Sequence, residues 1–263
     1  MNKKTLRKIK NKTPRIFIMI VTSIIGLKKY WSIFRYIKNF FVFSKLSKKD
    51  PRFKEPTFKD AYPILGEDTE GTDFDRHYIY HPAWAARIIA QNKPSLHTDV
   101  SSILSFCTIV SAFVPVDFYD YRPADLKLEN LNSKHADLMS LPFEDNTIPS
   151  LSCMHVIEHI GLGRYGDKID PLADVKAMNE LKRVLALDGD LLFVTPIGKP
   201  KILFNAHRVY GYDMIISQFS DLKLMEFSLI PRKSDGGLIK NPERSLIDSQ
   251  DYGCGCFWFK KIR

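Results

Sequence analysis

Three aspartates stand at the ends of short apolar segments in this chain of 263 residues. Asp99, Asp120 and Asp137 follow these segments in turn, and apolar segments that alternate with amphipathic ones predict a parallel sheet of βαβ units. Ligands of such sheets bind beyond the carboxyl ends of the strands, where the strand order reverses. A carboxylate after the second strand can accept hydrogen bonds from both hydroxyls of a ribose, so Asp120 is the leading candidate for nucleoside binding. The alternative is that each aspartate only caps a loop or helix.

A second group that could do chemistry is the string His155-Val-Ile-Glu158-His159, which has the H-x-x-E-H spacing of inverted zinc peptidases. On a helix the two histidines would share one face. The string starts inside an apolar strand and is followed by Gly161 and Gly163, so the helix that zinc needs is predicted to be too short. We therefore predict no metal, and we assign His155 and His159 as candidate general bases. For His159 a structural bond to the backbone is the open alternative.

Polar residues follow the fourth and fifth apolar segments, and they would reach the same end of the sheet. Arginine, tyrosine and carboxylate groups at that place could hold a polar acceptor such as a sugar or a phosphate. The predicted acceptor-binding residues are Arg164, Tyr165, Asp167, Asn205, His207 and Arg208.

The elements that must position these groups follow from the apolar pattern. A helix with Pro82 at its first position is predicted over residues 82–91, a second over 103–113, and a third ending at 185. The predicted strands are 97–100, 116–119, a third reaching 137, 151–155, 191–195, 222–230 and 256–260. The last two would close the sheet as a hairpin around a loop at 231–252.

Two short sequence phrases stand out in this region. They are Leu141-Pro-Phe, which follows Asp137, and Glu180-Leu-Lys-Arg-Val-Leu, which precedes a further predicted strand. Their order resembles the second half of class I S-adenosylmethionine-dependent methyltransferases. The resemblance implies a Rossmann-like α/β fold over about residues 80–263, with a seven-stranded, mostly parallel sheet and helices on both faces. It also implies S-adenosylmethionine as cofactor, methyl transfer as the reaction, and cofactor contacts from Asp99, Ser101, Ser102, Asp120, Tyr121, Asp137 and Leu138.

The first loop departs from that family's pattern, which is an acid followed by three alternating glycines. Here residues 99–105 read Asp-Val-Ser-Ser-Ile-Leu-Ser, so all three glycine positions are replaced. Serine hydroxyls and a helix N-terminus predicted at Ser102 could still bind a carboxylate. The alternative function is therefore a methyltransferase-like scaffold or glycan-binding module that has lost the cofactor and is recruited to a membrane surface.

Further phrases, at residues 74–81, 116–123, 159–167 and 204–208, resemble an uncharacterised bacterial family of unknown function. That family is regarded as methyltransferase-like, and some of its members lie near surface-polysaccharide genes. The resemblance implies a surface-polysaccharide sugar or its precursor as the acceptor.

The formal net charge of +9 is unevenly distributed along the chain. Residues 1–60 hold 17 Lys and Arg against 3 acidic residues, whereas the remainder holds 22 against 27. A nucleic-acid-binding domain is expected to carry its basic patch on the fold itself, so no nucleic-acid partner is predicted. We divide the chain into a basic extension and linker, 1–62, and a methyltransferase-like domain, 63–263.

The extension contains an apolar run at 16–27, then aromatic and basic residues to 43. Twelve residues span only about 18 Å as a helix, short of a bilayer. Residues 1–45 are predicted either to lie on an anionic membrane surface or to pack as an arm on protein. The four cysteines lack disulfide or zinc-finger spacing, which suits a reducing compartment. We predict a cytoplasmic protein, with peripheral attachment to the inner membrane face as the membrane-bound form.

Overall fold

A computed structural model of the chain describes residues 15–232 and 236–262. It consists of two compact units, which meet in sequence between Asp73 and Phe74. The first unit is dominated by one helix, and the second holds the sheet and the residues singled out above.

In the first unit, helix α1 (Arg15–Ser47) runs through the aromatic-basic segment. The chain after it turns back, so that the Phe58 ring stacks on Phe40 with centroids 4.8 Å apart, and Arg35 pairs with Asp68. A 3-10 turn at Phe58–Asp60 is capped by Thr57, whose backbone N–H donates to the Asp60 carboxylate at 2.9 Å. Among the residues that the structure describes, no helix is long and apolar enough to cross a membrane.

The second unit is built on a mixed sheet of eight strands in the order β3-β2-β1-β4-β5-β10-β8-β9. The pairs from β3 to β5 are parallel, and those from β5 to β9 are antiparallel. A separate hairpin joins β6 to β7. The strands are β1 His97–Val100, β2 Val116–Asp120, β3 Leu131–His135, β4 Ile148–Met154, β5 Leu185–Ile197, β6 Lys201–Leu203, β7 His207–Val209, β8 Lys223–Ile230, β9 Ile239–Lys240 and β10 Gly253–Lys260.

Helices cover both faces of this sheet. Alternate residues of β5 show the two faces: Leu191 and Phe193 belong to one apolar cluster, Leu192 and Val194 to the other. The helices are α2 Arg76–Asn92, α3 Leu104–Val110, α4 Ala173–Val184, α5 Tyr212–Gln218 and α6 Arg244–Asp248. Helices α2 and α3 pack on one face, and α4 and α5 pack on the other.

The predicted fold is confirmed in class and corrected in strand number, since the sheet has eight strands rather than seven. The additional strand, β9, lies in the segment that we predict as a loop and pairs with Ser228 and Leu229 of β8. Two residues are too few to leave a period-2 pattern, so only the pairing partner reveals this strand.

Several element ends also differ from the prediction. Helix α2 begins before Pro82 because the Asp75 carboxylate caps it by accepting from the Tyr78 N–H at 3.3 Å. Helix α3 starts at Leu104, so Ser102 lies outside it. Strand β4 ends at Met154, one residue before His155. The backbone of His155 then adopts a left-handed conformation, with φ of 54°, and this conformation ends the strand.

Candidate active site

A cavity of about 250 Å³ opens at the carboxyl ends of β1, β2 and β4. The chain runs outward from β1 to β3 and returns to β4 on the other side of β1, so the cavity lies where the strand order reverses. Its walls include these predicted site residues: Ser101, Ser102, Asp120, Tyr121, Asp137, Leu138, His155, His159, Tyr165 and Asp167.

Asp120 and Asp137 lie in this wall, and each uses one carboxylate oxygen to hold its own loop. Oδ1 of Asp120 accepts from the Arg122 N–H at 2.8 Å, and Oδ1 of Asp137 accepts from the Met139 N–H at 2.9 Å. Within the described residues the second oxygen of neither carboxylate has a hydrogen-bond partner. The two acids can therefore accept further hydrogen bonds from a ligand in the cavity.

Asp99, which is predicted to contact the cofactor, does not line the cavity, although the adjacent Val100 and Ser101 do. Its side chain is fully buried and accepts from the Ser101 hydroxyl at 2.8 Å and the Ser152 hydroxyl at 2.5 Å. Burial raises the pKa of Asp99 to about 7, even though these two hydrogen bonds act in the opposite direction. Asp99 therefore acts on the site indirectly, because its carboxylate holds the hydroxyl of Ser101, which does line the cavity.

A buried histidine extends this network between β1 and β4. Nε2 of His97 lies 2.9 Å from the Ser152 hydroxyl, and Nδ1 lies 2.9 Å from the Ser150 hydroxyl. Because Ser152 donates its proton to Asp99, it accepts from Nε2–H, and Nδ1 of the neutral ring can accept from the Ser150 hydroxyl. Burial disfavours the charged form of the ring and lowers the pKa of His97 to about 3, so His97 is neutral.

His155 is fully engaged with protein groups on both ring nitrogens. Its Nδ1 donates to Oε1 of Glu158 at 2.7 Å, and its Nε2 lies 3.4 Å from Sγ of Cys254. Burial lowers the pKa of His155, but the Glu158 carboxylate and the Cys254 sulfur outweigh it and raise this pKa to about 10. An imidazole held in this way is a poor proton acceptor.

The H-x-x-E-H string forms a 3-10 turn at Ile157–His159 and not a helix. His155 and His159 therefore do not share a helix face. The turn cannot continue as a helix because Gly161 and Gly163 adopt left-handed conformations, with φ of 75° and 68°. That the two histidines of this string together hold no metal stays a prediction.

His159 has one ring nitrogen fixed by the backbone. Its Nδ1 lies 2.7 Å from the Ala206 carbonyl oxygen, which can only accept, so the proton of the neutral ring sits on Nδ1. Nε2 is then unprotonated, and the side chain lines the cavity. His159 is thus better arranged than His155 to accept a proton from an acceptor molecule.

The loop after the turn gives the cavity a cationic rim. The ring of Tyr165 lies under two guanidinium groups, those of Arg122 at 4.7 Å and Arg164 at 5.1 Å from its centroid. Arg164 also donates to the Ala206 carbonyl oxygen at 3.0 Å. Arg122 is not among the predicted site residues. Its only sequence signal is its position two residues after Asp120.

Asp167 organises this loop from inside. Its carboxylate accepts from the backbone N–H groups of Gly161 at 2.8 Å, Gly163 at 3.2 Å and Tyr165 at 3.0 Å. Burial raises its pKa, but these bonds have the larger combined effect and lower it. The structure therefore places Asp167 in the cavity wall with its oxygens already engaged.

Four of the predicted acceptor-binding residues do not line the cavity: Arg164, described above, and Asn205, His207 and Arg208. Arg208 is buried, donates to the Ile160 carbonyl oxygen at 2.6 Å and lies 3.5 Å from the Asp174 carboxylate. The His207 ring lies 6.3 Å from that of His159, and Asn205 lies between β6 and β7. Further residues that line the cavity without having been predicted are Val100, Tyr119, Arg122, Ala136, Met139, Val156, Ile160 and Lys168.

Comparison with known proteins gives a partial family match. Residues 126–228 match the family described as "Caenorhabditis protein of unknown function, DUF268", which is less than half of the chain. An uncharacterised protein of Methanocaldococcus jannaschii is 28% identical over 88 residues. That match covers 32% of this chain and spans only 33% of the archaeal protein.

Two solved structures are similar in fold. One is 1,6-didemethyltoxoflavin-N1-methyltransferase of Burkholderia thailandensis, crystallised with 1,6-didemethyltoxoflavin and S-adenosylhomocysteine, at TM-score 0.50 and 11% identity over 70% of this chain and 79% of that one. The other is a candidate methyltransferase of Bacillus halodurans C-125, at TM-score 0.50 and 14% identity over 69% of this chain and 99% of that one. The chain has the Rossmann-like fold of S-adenosylmethionine-dependent methyltransferases.

Proposed function

We propose that this protein transfers a methyl group from S-adenosylmethionine to a polar acceptor, with a surface-polysaccharide sugar or its precursor as the acceptor class. The observation that carries the proposal is the convergence of Asp120, Asp137 and Leu138 on one cavity at the reversal of strand order. The fold supports it, since the similar Burkholderia enzyme was crystallised with S-adenosylhomocysteine.

In this proposal S-adenosylmethionine, when bound, supplies an electrophilic methyl group. Asp120 accepts hydrogen bonds from the ribose hydroxyls, and Asp137 accepts from the adenine amino group. Both roles use the carboxylate oxygens that have no partner among the described residues. Ser101 offers a hydroxyl at a position where related loops use glycine, and Ser102 offers one next to it.

The acceptor side of the cavity would be formed by His159, Tyr165 and the cationic rim. Nε2 of His159 would take the proton from the acceptor hydroxyl as its oxygen bonds to the methyl carbon. The bond between that carbon and the sulfonium sulfur would break at the same time, with S-adenosylhomocysteine as the leaving group. Arg122 and Arg164 hold negative charge on the acceptor, such as the diphosphate of a nucleotide sugar. Placement of donor and acceptor contributes most to such a transfer.

The His159→Ala variant is expected to methylate more slowly by about a hundredfold, the lower end of what a general base contributes, because the placement of donor and acceptor is retained. The measurement uses radiolabelled S-adenosylmethionine and a panel of UDP-sugars with the full chain. Affinity for S-adenosylhomocysteine should stay unchanged, and added imidazole should restore part of the rate. A variant that methylates as fast as the parent would remove His159 from the mechanism.

The alternative function is a scaffold or glycan-binding module without cofactor. It is favoured by the first loop, where Ile103 stands at a glycine position and is the N-cap residue of α3, with no side-chain hydrogen bond to cap the helix. The two functions differ in one observable, the binding of S-adenosylhomocysteine, which the scaffold would lack.

We further propose that the basic extension attaches the protein to an anionic membrane surface at the inner face of the membrane. Helix α1 exposes large apolar side chains, which include Trp31 at 70% and Phe34 at 66% exposure. Aromatic side chains of this kind enter the interface, and nearby Lys and Arg are attracted to anionic lipid.

Full-length protein with Trp31→Glu and Phe34→Glu is expected to lose co-sedimentation with vesicles that contain phosphatidylserine. A chain that lacks residues 1–45 should lose it too, because each basic group near the surface contributes about 1 kcal/mol. The matched control is Tyr62→Glu, which changes another aromatic of the same unit, 82% exposed, outside the helix. Sedimentation that survives both changes at high salt would contradict membrane attachment.

A further inference from the structure

Three side chains that are far apart in sequence meet beside the candidate active site. His77 comes from α2, His155 follows β4, and Cys254 belongs to β10. One ligand atom from each, a ring nitrogen or the sulfur, lies within 4.8 Å of the other two. His155 and Cys254 are buried, and His77 is only 9% exposed.

Two imidazoles and one thiol form the donor set that zinc prefers in proteins. In a tetrahedral site with Zn–N of about 2.0 Å and Zn–S of about 2.3 Å, ligand atoms lie roughly 3.3–3.8 Å apart. Nε2 of His155 and Sγ of Cys254 are already 3.4 Å apart. Small side-chain rotations of His77 would complete three of the four positions.

Glu158 gives this set the outer partner that metal-binding histidines usually have. Its Oε1 accepts from Nδ1–H of His155 at 2.7 Å, which fixes the ring so that Nε2 points to the cysteine. A dication, one thiolate and the Glu158 carboxylate would sum to zero formal charge. Such neutrality suits a buried site, where an unpaired charge is costly.

A second observation comes from His81, one turn after His77 on α2. Nδ1 of His81 donates to the His77 carbonyl oxygen at 2.5 Å, so Nε2 points away from the helix backbone. That Nε2 is buried and has no partner among the described residues, and the His81 ring lies 4.9 Å from the ring of His155. An unsatisfied polar atom beside the three donors is accounted for by a water on a bound metal.

We propose that His77, His155 and Cys254 bind a divalent zinc ion, with a water as fourth ligand next to His81. This proposal departs from the prediction of no metal, which rested on the H-x-x-E-H string, and it uses only His155 of that string. Because His155 also lines the cavity, the ion would join α2, β4 and β10 at the wall of the acceptor site.

The test is metal analysis and cobalt titration of the full-length chain. Zinc-supplemented wild-type protein should carry about one zinc per chain, and Co²⁺ should give the visible bands of a tetrahedral site with a sulfur-to-metal charge-transfer band. Cys254→Ser and His77→Gln should each weaken Co²⁺ binding about hundredfold. Cys107→Ser is the matched control, since Cys107 is equally buried but lies on α3, and it should bind Co²⁺ as the parent does.

Folding is checked by circular dichroism in each variant, so loss of metal is not confused with loss of structure. The proposal also predicts that a chelator lowers the melting temperature of wild type but not of Cys254→Ser. Folded wild-type protein that binds neither metal would overturn it, as would a folded Cys254→Ser variant with unchanged affinity. In either case His155 and Cys254 only form a hydrogen-bond chain with Glu158.

Discussion

Replacing Asp120 with alanine is expected to weaken the binding of S-adenosylhomocysteine by about tenfold to a hundredfold. The variant loses hydrogen bonds between a carboxylate and the ribose hydroxyls, and charge-assisted bonds of this kind contribute about 1.5–3 kcal/mol. Asp120 lines the cavity at the end of β2, and its backbone carbonyl oxygen accepts from the Ala136 N–H at 3.1 Å. The substitution therefore leaves the adjoining strand pairing intact.

The matched control is Asp117→Ala, on the same strand. Asp117 accepts from Asn132 at 2.7 Å and Lys134 at 2.8 Å and does not line the cavity. This variant should keep the parent's affinity to within about twofold, which is a free-energy change of roughly 0.4 kcal/mol. Equal losses in the two variants would indicate a general effect on β2, and no loss in Asp120→Ala would remove Asp120 from the site.

Replacing Asp99 with asparagine is expected to stabilise the protein in a pH-dependent way. Burial raises the pKa of Asp99 to about 7 in the folded state, whereas in the unfolded chain it stays near 3.8. Between these values the folded protein holds a proton that the unfolded chain has released. The free energy of unfolding of the parent therefore falls as pH rises through this interval and stays at its lower level above about pH 7.

Asparagine has no such proton to lose, and its amide can still accept from Ser152 and donate to Ser101. The difference in unfolding free energy, variant minus parent, should thus grow by on the order of 4 kcal/mol between about pH 4 and about pH 8. Urea unfolding at the two pH values measures it. Asp125→Asn, at a carboxylate with an 83% exposed side chain, serves as control and should show no such growth. A difference for Asp99→Asn that is equal at both pH values would contradict an ionisation cost.

The sequence was sufficient for the fold class because the signals are local. Strand β1 was predicted with its observed ends, since His97–Val100 is bounded by Pro94 and by a serine pair. The place of Asp120 and Asp137 also followed from a local rule, that ligands bind at the carboxyl ends of strands. Strand β9 could not be found in this way because it has two residues and depends on β8 for its pairing.

The sequence was not sufficient for partners that come from distant elements. Nothing in the spacing of His77, His155 and Cys254 indicates that their ligand atoms meet, because only the folded sheet places β4 and β10 next to β5, one on each side of it. Arg208 was chosen as a polar residue after the fifth strand, yet it is buried and holds the loop at Ile160. Polarity alone does not separate a ligand contact from a structural bond.

The most direct test of the central claim is a calorimetric titration of the full-length chain with S-adenosylhomocysteine. The account predicts one site per chain, with heat that saturates and with competition by S-adenosylmethionine. A folded protein that gives no binding heat at several temperatures would contradict it, and the cavity at the ends of β1, β2 and β4 would then belong to a scaffold or a glycan-binding module.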